Sequence, residues 1–194
     1  MKRLLPILSA MIICLLLTSC GSASIKGDPT SYSNEAKSFS IELPASSDKS
    51  WVIDENAADS VLDISDKSDT VNIQVQCLSK SQAQNVASDL ESYKEYALVN
   101  TLDDMLAQTT LNESDIAVPE FITDSISYEF SLSGGIKGVV TFMESPKCYY
   151  TYCIMAVDEA YSNNKKALLE SITSLEELSE APAGNAEEEA SDAQ

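Results

Sequence analysis

Ile126-Ser127-Tyr128-Glu129-Phe130-Ser131-Leu132 alternates apolar and polar residues and runs into Ser133-Gly134-Gly135. A strict period of two is the signature of a half-buried strand. The Gly-Gly pair sits where a tight hairpin demands positive φ. A returning strand is therefore expected from Ile136 to Glu144. Ser145-Pro146-Lys147 then turns the chain into Cys148 to Val157, which is apolar on both parities. A strand covered on both faces reads that way, so this one is expected to be central.

Working outward, the upstream half predicts four short strands. Phe39-Ser40-Ile41-Glu42-Leu43 alternates and stops at Pro44; Trp51-Val52-Ile53 and Val61-Leu62-Asp63-Ile64 follow. Val71, Ile73, Val75 and Cys77 then alternate with Asn72, Gln74 and Gln76, a strand with one wet face. Ala83, Val86, Leu90, Tyr93 and Ala97 step by three and four, and Leu98, Leu102, Met105 and Leu106 prolong the stripe. That spacing predicts amphipathic helix with Ser81 as N-cap, the stretch Ser81 to Thr110 being one extended helix or two. Thr109 to Pro119 reads as a loop. A last helix, capped by Ser162, is expected to present Tyr161, Leu168, Ile172 and Leu175 to the sheet. The fold class is thus α+β: an antiparallel β-sheet with helices packed on it.

The N-terminus reads as an address. Met1-Lys2-Arg3 is positive, and Leu4 to Leu17 is apolar apart from Pro6 and Ser9. That run is shorter than the roughly 20 residues a spanning helix needs, and it fits a secretory leader. Leu17-Thr18-Ser19-Cys20 resembles the bacterial lipobox, which implies cleavage before Cys20 and a diacylglyceryl thioether on its thiol, whose thiolate is the nucleophile. Two acyl chains anchor lastingly where one does not. The expected organisation is a signal peptide at 1–19, a lipidated Cys20 with a flexible tether to 35, a folded domain at 36–178, and an acidic disordered tail at 179–194. The expected location is the extracytoplasmic side of the cell membrane.

Phe39-x-Ile41-x-Leu43-Pro44 followed by Trp51 resembles the opening of the PsbP-like domain. So do the mid-chain helix, the meander, and a closing helix ending in Ile172-Thr173-Ser174-Leu175. The family includes the extrinsic PsbP subunit of photosystem II, a small Ran-binding nucleotide-release factor, and many bacterial lipoproteins. The resemblance implies an α/β/α sandwich serving as a binding or assembly module for a protein partner, with no catalytic residues. No site residue is carried over from it.

Composition narrows the chemistry. The chain has 194 residues, a formal charge of −19, and no His; its single Arg is Arg3. Once the leader is removed, a His-based triad, His-ligated zinc and an Arg fork are all excluded. So strong a negative charge also excludes nucleic acid as a partner. Cys77, Cys148 and Cys153 remain beside Cys20. Cys148 and Cys153 lie on one strand with opposite parities and cannot bridge each other. Cys77 pairs with either if its strand is a neighbour, although three small buried hydrophobes is the favoured reading.

Ser162-Asn163-Asn164-Lys165 fits the S-x-x-K pattern of penicillin-recognising enzymes, but neither K-T-G nor S-D-N accompanies it. Asp63, Asp66, Ser68 and Asp69, with Asp54, Glu55 and Asp59, are candidate oxygen ligands for a weak calcium site; solvated turn carboxylates are the simpler reading. Asp103-Asp104 and Glu176-Glu177, expected on helices, point their members apart. Tyr149-Tyr150-Thr151-Tyr152 is a candidate partner face. The expectation is a non-enzymatic lipoprotein module without cofactor or resident metal, the alternative being a small-molecule or calcium-binding lipoprotein.

Overall fold

The computed structural model describes residues 27–44, 51–100, 102, 106 and 109–178. The leader, Cys20, Asp103-Asp104, Met105 and the acidic tail lie outside the described residues. The described strands are β1 (Pro29–Ser33), β2 (Phe39–Pro44), β3 (Trp51–Ile53), β4 (Val61–Asp66), β5 (Val71–Ser79), β6 (Asn112–Glu113), β7 (Asp124–Leu132), β8 (Ile136–Glu144), β9 (Cys148–Val157) and β10 (Glu176–Glu177). The described helices are α1 (Lys80–Ala83), α2 (Leu90–Asn100) and α3 (Asp158–Thr173).

Seven strands form one antiparallel sheet in the order β3-β4-β5-β9-β8-β7-β6. β9 is the middle strand, paired to β5 and β8 along its length, with Cys77 opposite Tyr150 and Val139 opposite Ile154. Its alternate side chains feed two separate cores. Tyr150, Tyr152 and Ile154 join Ile73, Val75, Leu168 and Ile172 on one face. Tyr149 and Cys153 join Tyr93, Ala97, Phe130 and Phe142 on the other. The large sheet is thus sandwiched between α3 and α2, the antiparallel α+β arrangement expected from the meander and its flanking helices.

The Gly134-Gly135 hairpin has φ of 85° and 76°, the left-handed region that favours glycine. Gly138 is required for a different reason. A Cβ there would lie 2.0 Å from the Ile154 carbonyl oxygen and 2.5 Å from the Phe130 ring.

Three expectations need correction. The tether does not run to residue 35: Pro29–Ser33 pairs with β2, and Tyr32 packs against the first core. Asn34 then pins the connection, its amide oxygen accepting from Ser38 N at 2.9 Å and its amide nitrogen donating to Asp59 O at 2.6 Å. β2 itself belongs to a separate three-stranded sheet, β1-β2-β10.

The second correction concerns the cap of the mid-chain stretch, which takes the broken form of the two left open. Ala83, Leu90, Tyr93, Ala97, Leu102 and Leu106 share one core, while local side-chain bonds start α1 and α2 separately. Ser79, not Ser81, caps α1 in a reciprocal capping box with Gln82. Before α2, the Asp89 carboxylate accepts from Ser92 N at 2.8 Å, and Ser92 Oγ accepts from Asp89 N at 3.1 Å. The bonds that Ser92 donates to it, from its backbone N and then from its Oγ, hold the exposed Asp89 carboxyl below its ordinary value.

The third is at α3, where Val157 precedes the helix without a side-chain cap and Ser162 lies inside it. Glu176-Glu177 lies on a strand rather than a helix.

Candidate functional site

α3 starts where β9 leaves the sheet, with Asp158 and Glu159 in its first turn, favourable for the helix dipole. Asp158 N donates to Gly135 O at 2.7 Å, tying that start to the β7–β8 hairpin. Tyr161, Ser162 and Lys165 follow within two turns and face β7 and β8. Together with Asn112, Glu129, Ser131 and Lys137 they line a groove of about 460 Å³. Its two lining lysines are both paired, one across the groove and one to a carboxylate outside its lining. Lys165 Nζ lies 2.9 Å from Glu129, and Lys137 Nζ lies 2.7 Å from Asp158. The hydrogen bond from Lys137 holds the Asp158 carboxyl below its ordinary value. Lys165 also lies 5.7 Å over the Tyr161 ring.

Tyr161 is only 5% exposed, and its enclosed hydroxyl makes no hydrogen bond to any described residue. Burial, then the nearby Glu129 charge, pushes that hydroxyl up to about 12. The sequence assigned Tyr161 to the core and missed the groove. The available signal was the dense polar run Ser162 to Lys165 directly after it. The S-x-x-K pair itself is not organised as nucleophile and base. Ser162 Oγ donates to Asp158 Oδ1 at 3.2 Å, while Lys165 is engaged with Glu129.

The acidic turns are not brought together as a cation cage. The Asp66 carboxylate accepts from Thr70 N at 2.6 Å, Val71 N at 2.9 Å and Thr70 Oγ1 at 2.9 Å, clasping the β4–β5 turn. Asp63 accepts from the amides of Asn72 and Gln74. Asp54 accepts from Asn56. Among the described residues, no group of three or more carboxylate or thiol side chains is placed to hold a metal ion.

Tyr149, Tyr150, Thr151 and Tyr152 are all at most 3% exposed, so that row is not a partner face. A middle strand covered by α2 on one side and α3 on the other has no free face to offer. The thiols divide the same way. Cys77 and Cys148 meet in the first core, where their mutual hydrogen bond pushes Cys77 up and Cys148 down. Cys153 lies in the second core, which removes it as a partner for Cys77. Cys77 and Cys148 are diagonal neighbours, since Cys77 faces Tyr150 and Cys148 faces Ser79. Diagonal positions sit roughly 7–8 Å apart, beyond ordinary disulfide reach. All three are buried free thiols.

Glu177, expected on a helix with no shared role, instead lies on β10 and anchors the small sheet to the large one. Its carboxylate accepts from Ser145 Oγ at 2.9 Å and Tyr150 Oη at 3.0 Å, and it pairs with Lys147 at 3.0 Å.

No protein-family model matches this sequence, and no curated protein is similar to it. Among solved structures, the solution structure of cyanobacterial PsbP from Synechocystis sp. PCC 6803 is similar, with a TM-score of 0.50 and 14% identity. The similarity covers 84% of this chain and 99% of that one. At so low an identity what is shared is the arrangement of strands and helices: the chain has a PsbP-like α+β fold.

Proposed function

We propose that this chain is a lipoprotein anchored through Cys20 on the extracytoplasmic side of the cell membrane, where its domain is a non-enzymatic binding or assembly module for an envelope protein. Leu17-Thr18-Ser19-Cys20 behind a positive start and a short apolar run carries the reading. The formal charge of −19 opposes docking on anionic lipid and keeps the domain in the aqueous layer. The PsbP-like fold supports a binding role, and the short edge strand β3 leaves Val52 and Ile53 exposed at 48% and 42%.

Metabolic labelling with palmitate tests the anchor: the wild type takes up label and Cys20→Ala does not, and equal labelling rejects the anchor. Cross-linking in intact cells tests the role. A protein partner is expected with the wild type and lost with Val52→Lys/Ile53→Lys; recovery of lipid alone counts against an assembly role.

A second reading, small-molecule binding, is favoured by the groove over Tyr161. Calcium has no comparable support, because the carboxylates that would bind it are occupied by turn and amide donors.

A further inference from the structure

The groove beside α3 combines two features that point to one class of ligand. The Tyr161 hydroxyl is enclosed and unpartnered among the described residues. A buried polar group left that way is costly, and such a group in a native fold calls for an explanation. Both lysines of the lining, meanwhile, are already paired: Lys165 with Glu129 across the groove, and Lys137 with Asp158, which lies outside the lining. An entering anion would have to displace a carboxylate from an ammonium group, and an entering cation would meet two ammonium groups. An apolar guest would strand Asn112, Ser131 and the ion pairs away from water. A neutral molecule dense in hydroxyls both donates and accepts, and so matches walls that do the same.

We propose that this groove binds a neutral mono- or disaccharide, with the Tyr161 hydroxyl as its buried contact and Lys165 as a movable roof. The volume of about 460 Å³ falls within the roughly 300–1,000 Å³ usual for small-molecule sites. The Lys165 and Glu129 side chains are 44% and 38% exposed, and pairs that wet contribute little, so the lysine arm swings aside at little cost. This proposal rests on the small-molecule reading above and names its ligand class.

The test is an NMR titration of the full chain in a zwitterionic, sugar-free detergent with maltose, cellobiose and N,N′-diacetylchitobiose. Glutamate, phosphate and choline are titrated in parallel. At least one saccharide is expected to give saturable shifts at Ser131, Lys137 and Tyr161 to Lys165. Tyr161→Phe is expected to weaken that binding roughly ten-fold while leaving the melting temperature unchanged or higher. Asn112→Ala, on the exposed rim where folding is not at stake, should weaken it by a smaller factor.

Saccharide binding that survives Tyr161→Phe unchanged overturns the proposal. A response at the groove to the charged probes and not to the sugars also overturns it, while leaving the small-molecule reading standing. Silence toward all six probes overturns both.

Discussion

The hydroxyls of Tyr93 and Thr151 lie 2.8 Å apart in the buried interior, joining α2 to the middle strand β9. The Tyr93 ring also stacks on Tyr149, with centroids 4.9 Å apart. One residue further along β9, Tyr152 donates to Ser171 Oγ at 2.8 Å and fastens α3 on the opposite face. Neighbouring residues of one strand, pointing in opposite directions, therefore hold both helix layers. These contacts give directional attachment to faces that hydrophobic burial alone would leave free to slide.

Removing the Tyr93 hydroxyl should expose that role. Tyr93→Phe leaves the Thr151 hydroxyl buried without its partner, and a loss of about 1–3 kcal/mol is expected. The double variant Tyr93→Phe/Thr151→Val should lose less than the two single changes combined, because neither side then carries an orphan. Urea midpoints at constant slope measure this; strict additivity would show that the pair is not coupled.

Gly138 should tolerate no side chain. In Gly138→Ala the added Cβ would meet the Ile154 carbonyl, which belongs to the backbone of β9, as well as the Phe130 ring. The ring can turn, whereas the carbonyl can move only if two paired strands separate. Overpacking of this kind costs about 1–3 kcal/mol or more. A melting temperature within a degree or so of wild type would refute the clash.

Acid should loosen the join between the two sheets. Burial pushes the Glu177 carboxyl up, but the bonds from Lys147, Ser145 and Tyr150 outweigh it and hold the group below its ordinary value. A depressed carboxyl contributes stability that is complete above its unfolded value, about 4.3, and that fades as pH falls through the folded one. Glu177→Gln is therefore expected to lose less stability than wild type between neutral and acid conditions. Identical acid limbs in urea titrations would remove Glu177 from this role.

The cysteines should behave as core residues. Burial, then the Asp63 charge, pushes the Cys153 thiol up to about 12, and Cys77 is raised further, by its bond to Cys148 and then by burial. Thiolate is the reactive form and must also be reached, so iodoacetamide should leave Cys77 and Cys153 unmodified in the native chain, with Cys148 shielded by burial alone at 1% exposure, and alkylate all three in denaturant without reductant. Mass spectrometry of the peptides reads this out. Detection of a Cys77–Cys148 bridge would contradict the diagonal spacing.

Much of this architecture was legible residue by residue. Ile126 to Leu132, the Gly134-Gly135 turn and the two-faced strand Cys148 to Val157 come out as read, because alternation and turn chemistry act over two to four neighbours. The stripe from Ala83 to Leu106 likewise marks which residues are buried. Where it breaks was not legible, since the Asp89–Ser92 cap competes with helix continuation through bonds that leave the apolar spacing intact.

The candidate site was far less legible. Its residues come from β6, β7, β8 and the start of α3, and Asn112 and Tyr161 are 49 positions apart in the chain. By itself the sequence determined the hairpin meander and the covered middle strand, both properties of short windows. Only the tertiary structure decided which core each cysteine enters, that β2 leaves the main sheet for β1 and β10, and that the Tyr161 hydroxyl is enclosed without a hydrogen-bond partner among the described residues. Periodicity tells a residue to turn away from water, but strand pairing and helix docking choose what it meets there.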